Sequence, residues 1–155
     1  AAGQKVSNDD VVVENPKITD LQVKLLNDNI ISPDQDISFE ISYNVNEDIE
    51  TYIAFSLTDI DRGIWIYNDN SMDNKTGGSG RKTLTYKCSL AHLNNIKLKL
   101  QVSVRDKDDQ MIAFADSENS PVILLNRTDI EDDDKSAKDS ATGMVQRNGK
   151  WEIQE

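Results

Sequence analysis

Hydrophobic and polar residues alternate with a period close to two along most of this chain. Three long segments show the pattern most clearly, at residues 37–45, 52–58 and 96–105. Shorter segments of the same kind lie at 18–26, 64–67, 84–88, 111–115 and 122–125. Because successive side chains of a strand point to opposite faces, the pattern predicts eight strands, each with one apolar face.

Turn-forming sequences separate the predicted strands, among them Ser32-Pro33-Asp34 and Asp61-Arg62-Gly63. No segment keeps a helical period, although residues 90–93 are expected to form one short turn that plugs an end of the domain. Strands with a single apolar face bury it most simply when two antiparallel sheets pack face to face. The predicted fold is therefore all-β, an immunoglobulin-like or jelly-roll β-sandwich.

The two ends of the chain differ from this middle part. Residues 1–17 and 128–142 are mostly polar, which predicts a linker, a sandwich domain at 18–127 and a second, acidic linker at 128–142. Residues 143–155 then supply one more predicted strand. Its backbone must pair somewhere, because an isolated strand is not stable in water. It either folds back on its own sheet or crosses to a second copy of the chain. The apolar residues of this segment, which are expected to be buried at the dimer or sheet contact, are Met144, Val145, Trp151 and Ile153.

Composition limits the partners of the chain. The formal net charge is −11, and the basic residues do not cluster, so nucleic-acid binding is not expected. No apolar run approaches the roughly 18 residues of a membrane helix, so the chain is not expected to insert into a bilayer itself. The single cysteine, Cys88, cannot form an intrachain disulfide, which suits a reducing compartment.

The motifs that could carry catalysis do not complete a site. Residues 77–83 (GGSGRKT) resemble a phosphate-binding loop, but Arg81 and Thr76 stand where that loop needs glycine, so a flexible hairpin tip is the better interpretation. The lone His92 and Cys88 have no second histidine for a zinc site or a catalytic pair. Only Glu40 and Glu50 could serve glycoside hydrolysis. No enzyme activity, catalytic residue or cofactor is expected.

The acidic turns offer no defined metal site. Asp59-Ile60-Asp61 and Asp106-Lys107-Asp108-Asp109 could supply carboxylates to calcium, but neither has the spacing of a calcium loop. Solvated turns are the preferred interpretation, and no metal ligand is predicted.

The second face of the long strands is the best candidate for binding. Small residues there stand beside longer hydrogen-bonding ones, and Trp65 and Tyr67 are expected to share one side of their short strand. Aromatic rings beside amides, hydroxyls and a guanidinium suit a sugar, whose C–H surface stacks on rings. The alternative is an ordinary solvated sheet face. The candidate carbohydrate-binding residues are Tyr52, Ser56, Trp65, Tyr67, Gln101, Ser103 and Arg105.

The order of these segments resembles the C-terminal domain of Wzt, the ATPase subunit of ABC transporters that export O-antigen polysaccharides. The resemblance covers residues 18–153 and is made of loose patterns in a common order. These are residues 18–21 (ITDL), 37–43 (ISFEISY), 53–61 followed by Gly63, 68–71, 98–106, and the closing Gly143-x-Val145 with Trp151. The chain departs from the family's pattern at residues 94–96 (NNI), where a Gly-Tyr-like entry to the long strand would be expected.

The resemblance implies a noncatalytic module that binds the nonreducing end of a lipid-linked O-antigen polysaccharide, so that a finished chain is selected for export. It implies a cytoplasmic location at the inner membrane, through an ATPase domain and the transporter's membrane subunit. It also implies a homodimer that exchanges the last strand. Two other hypotheses stay open: a structural dimerisation domain without a ligand, and a secreted, calcium-dependent sandwich of the adhesin type.

Overall fold

The computed structural model describes residues 15–154. It contains nine strands, two short 3₁₀ turns (Met72–Asn74 and Ser117–Asn119) and one α-helix, α1 (Lys135–Ser140). The strands are β1 (Ile18–Leu25), β2 (Ile30–Ile31), β3 (Ile37–Val45), β4 (Thr51–Asp59), β5 (Ile64–Asn70), β6 (Gly80–Cys88), β7 (Ile96–Asp106), β8 (Met111–Phe114) and β9 (Val122–Leu125). Among the described residues, no helix has the length and apolar composition needed to cross a bilayer.

The strands form a β-sandwich, as the alternation predicts. One sheet has three strands in the order β1-β3-β6, and the other has the order β2-β9-β7-β4-β5, with β8 also paired to β7. All eight predicted strands are present. The ninth, β2, has only two residues and is too short to show a period; it pairs in parallel with β9.

The core lies between the sheets and is made by the inward positions of the long strands. In β3 every second residue is buried, and β7 buries its inward positions likewise. The rings of Phe39 and Phe55 join the two sheets edge to face, with centroids 5.0 Å apart. Nearby, the hydroxyls of Tyr43 and Thr51 are 2.8 Å apart in the buried interior. Leu90 and Leu93 are buried at one end of the sandwich, where the short turn was expected.

The glycine-rich segment at residues 77–80 is not a hairpin tip. β5 pairs with β4 in one sheet, whereas β6 pairs with β3 in the other, so the connection between β5 and β6 crosses from sheet to sheet. An isolated pair of backbone hydrogen bonds between Thr51 and Thr76 holds this crossing against the start of β4. The sequence of the loop does not show which sheet the next strand joins.

The polar segment at 128–142 is more ordered than a solvated linker. It contains α1, and Ala141 behind the helix is buried. The carbonyl oxygens of Ser140 and Thr142 accept hydrogen bonds from Asn94 (3.0 Å) and Arg62 (3.1 Å). The segment therefore lies against the sandwich rather than spanning a gap.

No strand forms over residues 143–154 in the single chain. One antiparallel bridge, between Leu93 and Val145, is the only β-pairing in that segment. Met144 is half-buried against the core, but Val145 is exposed, and Trp151 and Ile153 are 94% and 82% exposed. The expectation that these side chains are buried therefore does not hold within one chain. Exchange with a second copy stays a prediction.

Candidate functional site

A shallow trough lies on the outer face of the larger sheet. The register of β4 and β7 brings their outward residues together in pairs, with Tyr52 opposite Arg105 and Ser56 opposite Gln101. The trough has a volume of about 450 Å³, within the range of roughly 300–1,000 Å³ found for small-molecule sites. Six of the seven candidate carbohydrate-binding residues line it: Tyr52, Ser56, Trp65, Gln101, Ser103 and Arg105.

Tyr67, the seventh candidate, faces the opposite way. The pairing of β4 with β5 shifts by one residue between Leu57 and Thr58, so that Leu57 pairs with Tyr67 but Thr58 pairs with Trp65. The extra residue, Ile66, forms a β-bulge, which reverses the alternation of side chains along the strand. Trp65 therefore points outward, and Tyr67 points into the sandwich. The prediction that both aromatics share one face is wrong.

The hydroxyl of Tyr67 belongs to a chain of hydrogen bonds near the open side of the sandwich. It lies 2.6 Å from the hydroxyl of Tyr86, which donates to Asp69 at 2.5 Å. The hydrogen bond from Tyr86 lowers the pKa of Tyr67, but burial together with the neighbouring Cys88 and Asp69 outweighs it, so the pKa of Tyr67 is raised. Burial, then the hydrogen bond to Asp69, raises the pKa of Tyr86 as well. Burial also raises the pKa of the Cys88 thiol. These groups stay protonated at neutral pH and serve packing.

Trp65 is the aromatic platform of the trough. It is 72% exposed, and two further apolar residues of the lining, Met72 and Phe114, are also exposed. An exposed indole next to hydrogen-bonding groups can stack on an apolar ligand surface without first losing packing of its own.

The polar groups of the lining differ in how they are used. Gln101 accepts a hydrogen bond from the Thr58 hydroxyl at its side-chain oxygen (3.2 Å), which leaves its NH₂ group for a ligand. Within residues 15–154 the side chains of Ser56 and Asn68 have no hydrogen-bond partner. Ser103 is buried and directs its hydroxyl toward the Ala54 carbonyl at 3.4 Å. The groups ready for a ligand are therefore concentrated in the middle of the trough, beside Gln101.

Tyr52 lines one end of the trough, but its hydroxyl is not free to bind a ligand. It is only 3% exposed, and its hydroxyl donates to a carboxylate oxygen of Asp109. Burial is the main cause of its raised pKa, followed by that hydrogen bond. Arg105 donates to the Asp109 carbonyl at 3.0 Å. Asp109, with φ of +64°, is thus fixed at the tip of the β7–β8 turn, where it closes one end of the trough.

Several lining residues were not among the candidate binding residues. They are Ala54, Phe55, Asn68, Asp69, Asn70, Met72, Val102, Asp109, Met111 and Phe114. Asn68 and Asn70 lie opposite Ser56 and Ala54, and their outward position depends on the bulge at Ile66. The alternation of β4 and β7 was sufficient to find the floor of the trough. The walls depend on the bulge, for which the sequence carries no clear signal, and on the turn after β7, which the sequence places at residues 106–109 without showing that it closes the trough.

The fold and the trough together describe a β-sandwich module with an open polar face. No family model and no curated protein matches the sequence. Among solved structures, the crystal structure of the C-terminal domain of wzt is similar, with a TM-score of 0.53 and 11% identity over 90% of this chain and 86% of that one. A CARDB domain from Pyrococcus furiosus, in complex with di-metal ions, has a TM-score of 0.41 and 12% identity over 72% of this chain and 94% of that one.

The likeness to the C-terminal domain of Wzt extends over nearly the whole chain, and it confirms the resemblance drawn from the sequence at the level of the fold. The chain therefore has the same kind of β-sandwich fold. At 11% identity the comparison carries no information about ligand or partner.

Proposed function

We propose that this chain is a noncatalytic glycan-binding module that recognises the end of a lipid-linked O-antigen polysaccharide during export by an ABC transporter. The observation that supports it most is the trough, where the free NH₂ group of Gln101 lies among unpaired polar side chains beside the exposed ring of Trp65. A pyranose offers hydroxyls to these polar groups and a C–H surface to the indole ring. The fold shared with the C-terminal domain of Wzt agrees with this proposal.

In this proposal the module works in the cytoplasm at the inner membrane, linked to the transporter's membrane subunit through an ATPase domain. Two copies associate by exchanging their C-terminal segments. The exposure of Trp151 and Ile153 in the single chain supports this, because large apolar side chains in water favour association.

The test is calorimetric titration with the cognate O-polysaccharide and with fragments of its nonreducing end. The variant Gln101→Ala/Arg105→Ala removes two donors of the trough and is expected to reduce affinity by about 5-fold to 150-fold, since two lost hydrogen bonds to neutral ligand groups are together worth about 1–3 kcal/mol. The matched control is Gln22→Ala/Lys24→Ala, on exposed positions of β1 in the other sheet. Equal affinity of both variants would refute the assignment of this face.

A purely structural dimerisation domain is the second candidate, favoured by the same exposed C-terminal residues. It predicts a dimer in sedimentation with no heat of glycan binding in the wild type.

A further inference from the structure

A second cleft adjoins the trough on the side of β8. It has a volume of about 430 Å³ and lies between β1 of the smaller sheet and β8 of the larger one. Its walls come from residues 18–22 of β1, from the end of β8 and from the 3₁₀ turn that follows β8. Phe114 lines both the trough and the cleft. A ligand that leaves the trough across this ring therefore enters the cleft directly.

A β-bulge in β1 shapes one wall of the cleft. β1 places two residues, Asp20 and Leu21, opposite the single Tyr43 of β3, and such an extra residue bends a strand. Asp20 has a φ of +53°, a conformation that Asp and Asn adopt more readily than most residues. The guanidinium of Arg81 donates to the Asp20 carboxylate (2.8 Å) and to its carbonyl (3.1 Å). This wall is therefore fixed before any ligand arrives.

The opposite wall presents hydrogen-bonding groups from a fixed turn. A carboxylate oxygen of Asp116 accepts from the backbone N–H of Asn119 (3.0 Å) and from its side-chain amide (3.3 Å). Within residues 15–154 the second carboxylate oxygen of Asp116 and the side-chain oxygen of Asn119 have no partner. Across the cleft, the Thr19 hydroxyl accepts from Asn46 (3.2 Å) and keeps its proton for another acceptor. The cleft thus offers both acceptors and a donor to a ligand.

Exposed rings lie on both sides of the middle of the trough. Trp65 belongs to β5, at one edge of the sheet, and Phe114 belongs to β8, with Gln101 and Ser103 of β7 between them. Phe114 pairs with Ser103 and is 40% exposed. Rings spaced along a groove suit successive units of a glycan, because each ring can stack on a C–H surface. The two rings and the cleft therefore follow one line across the strands, from β5 toward β1.

A site that reads the end of a polymer must be closed in one direction and open in another. Asp109 closes the trough at the β7–β8 turn. Another hollow shares Phe55 and Asn70 with the trough, but its volume of about 70 Å³ is well below the roughly 300–1,000 Å³ of small-molecule sites. The cleft beyond Phe114 has the volume that a sugar unit needs. It is therefore the better path for the rest of the chain.

We propose that the cleft is a second glycan subsite, which binds the sugar units behind the terminal one after the chain crosses Phe114. The inference rests on the proposed function and extends it from the terminal unit to the chain that follows. The lining of the cleft, as far as the structure describes it, carries the carboxylates of Asp20 and Asp116 and no basic side chain. Carboxylates accept hydrogen bonds from hydroxyls but repel anions. The cleft therefore takes uncharged sugar units rather than units that carry carboxylates or phosphates.

Calorimetric titration with two probes tests the subsite. The probes are the lipid-free O-polysaccharide of the cell that makes this protein and the disaccharide of its nonreducing end. The variant Thr19→Val/Asn119→Ala removes polar groups of the cleft and none of the trough. It is expected to lower the affinity for the polysaccharide by about 5-fold to 150-fold, the range for two lost hydrogen bonds to neutral groups, and to leave the affinity for the disaccharide unchanged. The matched control, Asn29→Ala/Thr85→Val, removes the same groups at exposed positions that line neither the trough nor the cleft.

Backbone amide shifts of the wild-type protein provide a second measurement that does not depend on the folding of a variant. Residues of β4 and β7 are expected to shift with both probes. Residues 18–22 and 116–119 are expected to shift with the polysaccharide alone, because only the longer ligand reaches the cleft.

Equal polysaccharide affinity of the cleft variant and the control would overturn the subsite, and so would an equal loss of affinity for the two probes. A polysaccharide that binds but carries acidic groups on the units next to its terminal one would overturn the chemical class assigned to the cleft. Binding that responds to Gln101→Ala/Arg105→Ala but not to the cleft variant would overturn this inference and leave the proposed function intact. Failure of both probes to bind the wild type would overturn the two together.

Discussion

Trp65 and Tyr67 are two residues apart on β5, and the bulge between them predicts opposite responses to truncation. Trp65→Ala removes a side chain that is 72% exposed, so it is expected to change the free energy of unfolding by no more than about 0.5 kcal/mol. Tyr67→Ala removes a half-buried ring from the aromatic cluster of the core. Without a bulge the two rings would share one face and their truncation would have similar effects.

The cost of Tyr67→Ala follows from its contacts. Its ring stacks on Phe55 with centroids 6.1 Å apart and meets Tyr86 edge to face at 6.5 Å. Complete burial of an aromatic ring makes its truncation cost about 3–5 kcal/mol. Because Tyr67 is only half-buried, we expect about 2–3 kcal/mol. Tyr67→Phe keeps the ring and loses only the 2.6 Å contact between hydroxyls, so we expect about 1 kcal/mol.

Urea denaturation followed by circular dichroism measures all three variants, with the m-value as a check that the unfolding reaction is unchanged. Glycan titration of the same proteins gives the complementary result, because only Trp65→Ala is expected to weaken binding. A loss of stability in Trp65→Ala equal to that in Tyr67→Ala would refute the bulge and the orientation of the indole that depends on it.

Three other predictions follow from single contacts. Asp59 is 1% exposed, and although burial alone would raise its pKa, the N–H of Arg62 (2.9 Å) and its guanidinium (2.6 Å) hold the pKa below the usual value. Its contribution to stability is therefore present above the unfolded-state pKa of about 4 and is lost as the pH falls through the lower folded-state value. Asp59→Asn is expected to cost about 1–2 kcal/mol at pH 7, less than for a fully buried pair because Arg62 is partly solvated. The cost is expected to shrink as the pH is lowered below about 4, and a cost in urea titrations that does not change with pH would contradict this. Tyr52→Phe removes the hydrogen bond to the carboxylate of Asp109, the residue that closes one end of the trough. It is expected to lower stability by about 1 kcal/mol and to weaken glycan binding several-fold in calorimetry. Unchanged affinity would show that the ligand does not use this end of the trough. Truncation after Arg147 is expected to give a folded monomer in sedimentation. A persistent dimer would exclude residues 148–155 as the interface. A truncation that starts at Met144 is less suitable, because it also leaves the buried amide of Asn94 without the Val145 carbonyl.

The sandwich could be predicted because apolar and polar residues alternate along its long strands with almost no exceptions. In β3, β4 and β7 the apolar face is the buried face, and the outward residues of β4 and β7 meet across the pair as expected. This regularity was enough to locate the floor of the candidate site.

The parts that could not be predicted depend on single irregularities. A bulge such as Ile66 adds one residue to a strand without changing its composition, so Trp-Ile-Tyr gives no sign that the two aromatics diverge. The sequence also shows Tyr52 as an outward residue and a turn at residues 106–109, but not that Asp109 of this turn accepts the Tyr52 hydroxyl. The burial of a side chain depends on what packs above it, and that neighbour comes from a distant part of the chain.

The buried amide of Asn94 joins three stretches of the chain that are far apart in sequence. Its oxygen accepts from Arg127, which also pairs with Asp129, and its nitrogen donates to two carbonyls near the C-terminus. These stretches should open together rather than fray one by one, with slow amide exchange up to Gln146 and fast exchange directly beyond it. Such a sharp boundary would mean that the chain is already ordered up to Gln146, which donates hydrogen bonds to the His92 and Leu93 carbonyls, before a partner binds. The conformational entropy lost on association then comes from only the few residues beyond it.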